Sequence, residues 1–252
     1  MVSKNKLKYI KALAQKKHRI AAQAFLVEGE KLVLEAIAQN WEIVELFGTT
    51  NFLEQHSDLP LDADLITECS DRELGQMGQL SFNSKVAALV KMEGFHLDTA
   101  WDASFSLFLD GINDPGNLGT LIRTANWFGI QHIICGDQTV DCYNSKVIQA
   151  SMGALFSTAL TYVDNATFFS QTKAKEDYVI VGAELAGIEL KNCAPISKGC
   201  LVMGSESHGL SKLAQEALTL SVTIPMGKRT QMESLNVGVA AGIICHQISP
   251  YL

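Results

Sequence analysis

LDGINDPGNLGTLIRTANWFG, residues 109–129, decides how this chain is read. The apolar run Phe105–Leu109 reads as a buried strand. It empties into a loop holding Asn113, Asp114, Pro115, Gly116, Asn117 and Gly119, and a helix is expected near 119–129. These loop residues suit turns and local hydrogen bonds better than packing. Gly116 and Gly119 permit the close approach of a ligand or another backbone. A strand that ends in such a loop and opens a helix is where open α/β sheets place ligands. Arg123 reads as a buried residue about one and a half turns into that helix, within reach of a phosphate or carboxylate.

Working outward, apolar strands are expected at 105–109, 131–135, 157–163, 178–183, 200–204 and 220–224. Helices fall between them, near 119–129, 144–153, 166–174, 210–217 and 234–248. Continuous apolar strands such as Tyr178–Ala183 and Cys200–Gly204 imply a parallel sheet covered on both faces. The first half alternates on a smaller scale. A helix at about 3–21 precedes strand Phe25–Glu28 and a helix from Gly29. Strand Ile43–Phe47, a short helix near 51–56 and strand Leu65–Cys69 follow, then a helix from Ser70 and strand Val86–Lys91. Ser70 with Glu73 three residues later forms the pattern of a capping box. The fold class is therefore α/β, a C-terminal parallel-sheet domain preceded by a smaller α/β domain. The boundaries read as 1–92 and 104–252, with 93–103 (EGFHLDTAWDA) as a linker.

The chain has 252 residues, 47% hydrophobic and 19% charged, as expected of a globular protein. No apolar run is long enough to cross a bilayer, which argues against a membrane partner. The N-terminus lacks the pattern of a signal peptide, so a cytoplasmic protein is expected. Six scattered cysteines without a CxxC pair read as small core residues in a reducing compartment. Net charge is −7, yet residues 1–19 hold Lys4, Lys6, Lys8, Lys11, Lys16, Lys17 and Arg19 and no acid. A basic helix on an acidic body is a footprint of the kind that meets phosphate backbones. A solvated helix face would have the same composition.

Two more polar loops sit at strand ends. LVMGSESHGL (201–210) runs from a buried strand into Gly204, Ser205, Glu206, Ser207, His208 and Gly209. VTIPMGKRTQMESLNVGVAA (222–241) ends a strand at Ile224-Pro225, and Ser234 is expected to cap a helix rich in small residues. Familiar alternatives fail against these loops. There is no GxGxxG. Gly227-Lys228 has Arg229 where a Walker motif needs Ser or Thr. Gly204-Ser205-Glu206 has glutamate where a nucleophile elbow needs serine. The six histidines lack metal-ligand spacing, so no metal is expected. Taken singly, Glu206 could be a helix-start acid, Asn117 a turn residue and Arg123 an internal ion-pair partner.

Together the three segments resemble, in order and spacing, the three motifs of the SpoU/TrmH family of RNA ribose 2′-O-methyltransferases. The first motif matches Asn113, Asp114, Pro115, Asn117, Gly119, Arg123, Ala125, Phe128 and Gly129. The second matches Gly204, Glu206 and Gly209, and the third Ile224, Pro225, Met226, Ser234, Leu235, Asn236, Val237 and Ala240. The likeness covers about 104–252. FLVEGEKLVLEA (25–36) is similar to the small α/β substrate-binding domain often found in front. Ser207 stands where the second motif often has glycine, and Gly238 where the third often has serine.

The resemblance implies a deep trefoil knot, a homodimer and bound S-adenosylmethionine, with Gly204, Ile224, Met226 and Leu235 as cofactor-binding residues. It implies catalytic roles for Arg123, Asn117, Glu206, Ser234 and Asn236. Arg123 would activate the ribose hydroxyl or, more consistently with a permanently charged guanidinium, hold a phosphate and stabilise alkoxide charge. Glu206 would fix Arg123 or the substrate. The implied partner is RNA, and the extra N-terminal domain favours 23S ribosomal RNA. The alternatives are transfer RNA or a non-catalytic RNA-binding protein of the same fold.

Overall fold

In the computed structural model, residues 2–78, 85–93, 105–175, 177–228 and 231–248 are described. In chain order the first elements are α1 (Lys4–Ala12), α2 (Lys16–Ala22), β1 (Ala24–Glu28), α3 (Glu30–Ala38), β2 (Ile43–Gly48), α4 (Thr50–Gln55), β3 (Ile66–Glu68), α5 (Asp71–Met77) and β4 (Val86–Lys91). There follow β5 (Phe105–Asp110), α6 (Pro115–Trp127), β6 (His132–Cys135), α7 (Ser145–Ser151), β7 (Ala159–Tyr162), α8 (Asn165–Lys173) and β8 (Val179–Glu189). The last are β9 (Gly199–Gly204), α9 (Lys212–Ala217), β10 (Leu220–Thr223) and α10 (Val237–Ile248). Two units separate: Met1–Gly94 with Tyr143–Phe156, and Phe95–Cys142 with Ser157–Leu252. The linker expected at 93–103 lies, apart from Glu93, outside the described residues.

In the first unit the sheet runs β1-β4-β2-β3. β4 is antiparallel to both β1 and β2, while β3 is parallel to β2. β4 is buried from Val86 to Val90, as its unbroken apolar run requires. The single helix expected at 3–21 is two. Ser3 caps α1, and the chain then turns through tight bonds from Ala14 and Gln15 to Lys11 and Ala12 before α2 begins. Arg19 stabilises this break. Its buried guanidinium donates to the Leu13 and Ala14 carbonyls at 2.8 and 2.9 Å, oxygens that helix ends leave unsatisfied. The capping box at Ser70–Glu73 is present.

Tyr143–Phe156, expected inside 104–252, groups with this first unit because of an aromatic cluster. The Tyr143 ring lies 4.4 Å from that of Phe25, and Trp41 meets Phe156 edge-on at 5.4 Å. Trp41 also donates its indole N–H to the Phe156 carbonyl at 2.9 Å. Such ring pairs each contribute about 0.5–1.5 kcal/mol beyond their buried area.

The second unit carries a six-stranded sheet in the order β10-β8-β9-β5-β6-β7, parallel at every recorded pairing. The apolar runs predict this, because both faces of such a sheet are covered. All of β5 is buried, and Phe108, Ile134, Phe168, Ile180 and Val202 meet in one core cluster. From β5 the chain builds outward through β6 and β7, then returns to the other side through β8 and β9. The switch of direction therefore falls between β5 and β9, the position where α/β sheets open a crevice. Asp110, the last residue of β5, is register partner to Gly204, the last of β9. The first two motif loops thus leave the sheet side by side.

Candidate active site

The first loop is shorter than its composition suggests. Asp114 caps α6, accepting from the Asn117 N–H at 2.8 Å, and Pro115 occupies the first helical turn, where its missing N–H costs nothing. Asn117 and Gly119 are therefore helical. Arg123 lies about two turns into α6 rather than one and a half. It is exposed, contrary to the buried position expected, and makes no hydrogen bond or ion pair with a described residue.

In the second loop, Gly204 is held where a Cβ would sit 2.3 Å from the Gly209 carbonyl carbon. Only glycine fits. The loop closes on itself through Ser205 N–H to Gly209 O at 3.1 Å and Gly209 N–H to Ser205 O at 2.8 Å, with Gly209 at φ 66°. In the third loop, α10 begins at Val237, and its cap is Asn236 rather than Ser234. The Asn236 side-chain oxygen accepts from Gly238 N–H at 2.9 Å and Val239 N–H at 3.3 Å. Asparagine, with both a carbonyl and an amide, can cap and still donate. Gly238 lets α10 approach α6, since a Cβ there would lie 2.7 Å from Thr120 Cγ2.

One cluster joins the three loops. Glu206 Oε1 accepts from Asn117 Nδ2 at 2.7 Å and from Asn236 Nδ2 at 3.2 Å, while Asn236 also donates to Asn117 Oδ1 at 2.9 Å. Of the five residues expected to act in catalysis, Asn117, Glu206 and Asn236 are thus brought together. The partners of Glu206 are the two amides and not Arg123. Ser234 is exposed, lines the adjacent cavity and makes no hydrogen bond with a described residue.

That cavity has a volume of about 720 Å³. Gly204, Ile224, Met226 and Leu235, the four residues expected to bind cofactor, all line it, together with Glu206. Met203, Val222 and Ile244 supply apolar wall, and Ser205, Thr223 and Ser234 are among its polar lining residues. A mostly apolar recess of this size with a few polar groups suits a nucleoside cofactor. The missing side chain of Gly204 leaves room for the backbone of Gly209 and Leu210, which keeps the loop tight beside the cavity.

The pattern of residues left one support unrecognised. Asp110 is buried and accepts from Asn165 Nδ2 at 2.7 Å and from Ser211 N–H at 2.6 Å. Asn165 and Asp137 exchange two further backbone–side-chain bonds. Asp110 therefore fastens the far end of the second loop, at the cap of α9, to the root of the first. A charged residue closing an otherwise apolar strand, Phe105–Leu109, is the only trace of this in the sequence.

The fold and cavity define an α/β domain with a recess at its strand ends whose size and lining suit a nucleoside cofactor. Residues 104–246 match the SpoU rRNA Methylase family, and residues 4–88 match the MRM3-like substrate binding domain. The chain is 29% identical to the 23S rRNA (guanosine(2553)-2′-O)-methyltransferase RlmP of Bacillus subtilis over 96% of its length and 95% of the relative's. An AdoMet-bound rRNA methyltransferase from Sinorhizobium meliloti superposes with a TM-score of 0.87 at 27% identity, covering 98% of this chain and 95% of that one. A TrmH-family structure from Porphyromonas gingivalis, 30% identical, has the same TM-score over 99% and 98% of the two chains. The chain belongs to the SpoU rRNA methylase family. It is an RNA methyltransferase that uses S-adenosylmethionine.

Proposed function

We propose that this enzyme methylates a ribose 2′-hydroxyl of 23S ribosomal RNA as a homodimer. The observation that carries the reading is the Asn117–Glu206–Asn236 cluster, which fixes three motif loops around one cavity. S-adenosylmethionine supplies an electrophilic methyl group on a sulfonium, and the chain must position the hydroxyl, relieve its charge and exclude water. Arg123, with no hydrogen bond or ion pair among the described residues, is available to bind the RNA phosphate beside the reacting ribose and to stabilise developing alkoxide charge. A guanidinium stays protonated, which favours this role over that of a base. Ser234 is the second group assigned to contact ribose, a role supported by its position in the cavity lining.

The choice of ribosomal RNA is supported by the relative with the 23S rRNA name and by the substrate-binding domain match. The homodimer is supported by large apolar side chains exposed on α6 and α10: Trp127 at 84%, Val239 at 52% and Ile243 at 40%. Such exposure on packed helices marks an interaction surface. The trefoil knot implied by the resemblance is supported by how α10 spans the sheet. Its start is tied to Glu206 after β9, and its end, through Ile248 O and Gln247 Nε2, to Ile196 and Cys193 before β9.

Mapping 2′-O-methyl sites in RNA from cells with and without the gene tests the substrate. Loss of one 23S ribose methyl is expected, and unchanged 23S with a loss in transfer RNA would overturn the assignment. Light scattering at micromolar concentration should give twice the 27.4 kDa chain mass, and a monomer would refute the dimer.

A further inference from the structure

The ladder between β10 and β8 breaks at one step. Ser221 pairs with Gly182, but the next residue, Val222, pairs with Ile188. Residues 183–187 are therefore carried out of the ladder in a bulge, a device that re-aims side chains next to active sites. Gly187 lets the bulge close, since a Cβ there would lie 2.6 Å from Val222 N. The bulge faces the cofactor cavity, and Ala183, Glu184 and Ala186 line its wall. Glu184 is half-buried, and Ser221 Oγ donates to its Oε2 at 2.6 Å.

The charged side chains lining this cavity among the described residues are all carboxylates: Glu184, Glu206 and Glu233. Glu206 is committed to Asn117 and Asn236, and Glu233 is exposed and screened by solvent. Glu184 alone combines partial burial with a fixed position on the wall. S-adenosylmethionine carries one positive charge more than S-adenosylhomocysteine, because loss of the methyl group turns the sulfonium into a neutral thioether.

We propose that Glu184, presented by the β8 bulge, is a specificity-determining residue that favours the sulfonium cofactor over its neutral thioether product. A carboxylate held in a partly desolvated wall discriminates by charge, because its field is only partly screened there. The enzyme then sheds its product as soon as the charge is gone. The inference rests on the cavity being the S-adenosylmethionine site.

Calorimetry on the full chain tests it with three ligands: S-adenosylmethionine, S-adenosylhomocysteine and sinefungin, whose ammonium replaces the sulfonium. Glu184→Gln is expected to weaken the two cationic ligands about tenfold while shifting the thioether less than about twofold. Glu184→Asp, which keeps the charge, restores most of the preference. Ser221→Ala, which frees the carboxylate without removing it, narrows the preference by about twofold. Equal weakening of all three ligands by Glu184→Gln, or no change in any, overturns the proposal. Absence of all binding by the unmodified chain would overturn the cofactor assignment itself and the proposal with it.

Discussion

Arg123 and Glu206 differ in what the chain asks of them. Glu206 is held by two amides and ties the site together; Arg123 is exposed and makes no hydrogen bond or ion pair with a described residue. Removal of a surface side chain with no partner changes stability by less than about 0.5 kcal/mol. Arg123→Ala is therefore expected to melt within a few degrees of the unmodified protein and to bind S-adenosylmethionine normally, while methyl transfer to RNA falls by at least about a hundredfold. Turnover assays beside calorimetry check this. Retained turnover would remove Arg123 from the mechanism, and lost cofactor affinity would place it in the cavity instead. Asn117→Ala should behave differently, because Glu206 and Asn236 each lose a bond to it. A cost of about 1–2 kcal/mol in stability is expected alongside the loss of activity, read from denaturant midpoints.

At the scale of elements, the loops owe their shape to close backbone contacts that tolerate no substitution. Gly204→Ala would drive a Cβ into the Gly209 carbonyl group and Leu210 N, all backbone and unable to step aside. The second loop would have to open, and cofactor affinity should fall by at least about tenfold, with a loss of about 2 kcal/mol or more in stability. An unchanged calorimetric titration would show that the loop has slack. In the first unit, the cap of α5 is an acid-sensitive element. Glu73 is held down to about 2 from an ordinary 4.5, first by the Ser70 backbone N–H, then by the Ser70 hydroxyl and the Val2 N–H. A depressed carboxyl contributes its stability above the unfolded value and loses it as pH falls toward the folded one. The gap in melting temperature between Glu73→Gln and the unmodified protein should hold above about pH 5 and close between 4.5 and 2. A gap independent of pH would mean that the cap works through shape rather than charge. These elements also show what the sequence could express. Capping boxes and continuous apolar strands are local patterns, and β5, β9 and α5 stand where those patterns predict. The start of α6 was hidden because Pro115-Gly116 suits a loop as well as a first turn. The bulge in β8 and the choice of Asn236 over Ser234 as cap depend on partners in other strands and loops, Ser221 and Glu206, which no short window contains.

For the whole molecule, the open question is how a chain of net charge −7 holds a polyanion. The seven basic residues of 1–19 do not act alike. Arg19 is buried at the α1–α2 break, where it supports the fold, and Lys6 is paired with Glu45 on β2. Lys4, Lys8, Lys11, Lys16 and Lys17 remain exposed. The first unit thus presents five solvent-facing ammonium groups from one short segment that holds no acid, and within a Debye length of that segment they act as a local positive patch. Each phosphate they neutralise releases counterions, giving a slope of about −0.7 to −0.9 in log K against log salt. Binding of a 23S rRNA fragment should therefore weaken with a slope of about −2 to −4 between 50 and 200 mM salt. Replacing Lys4, Lys8 and Lys11 together by alanine should lower the magnitude of that slope by about 2 without moving the melting temperature, since none of the three is buried. Arg19→Ala should instead lower the melting temperature, because it strips two helix-end carbonyls of their donor in a buried setting. Filter binding across a salt series and thermal melts separate the two classes. A slope unchanged by the triple substitution would move the RNA contact off this segment.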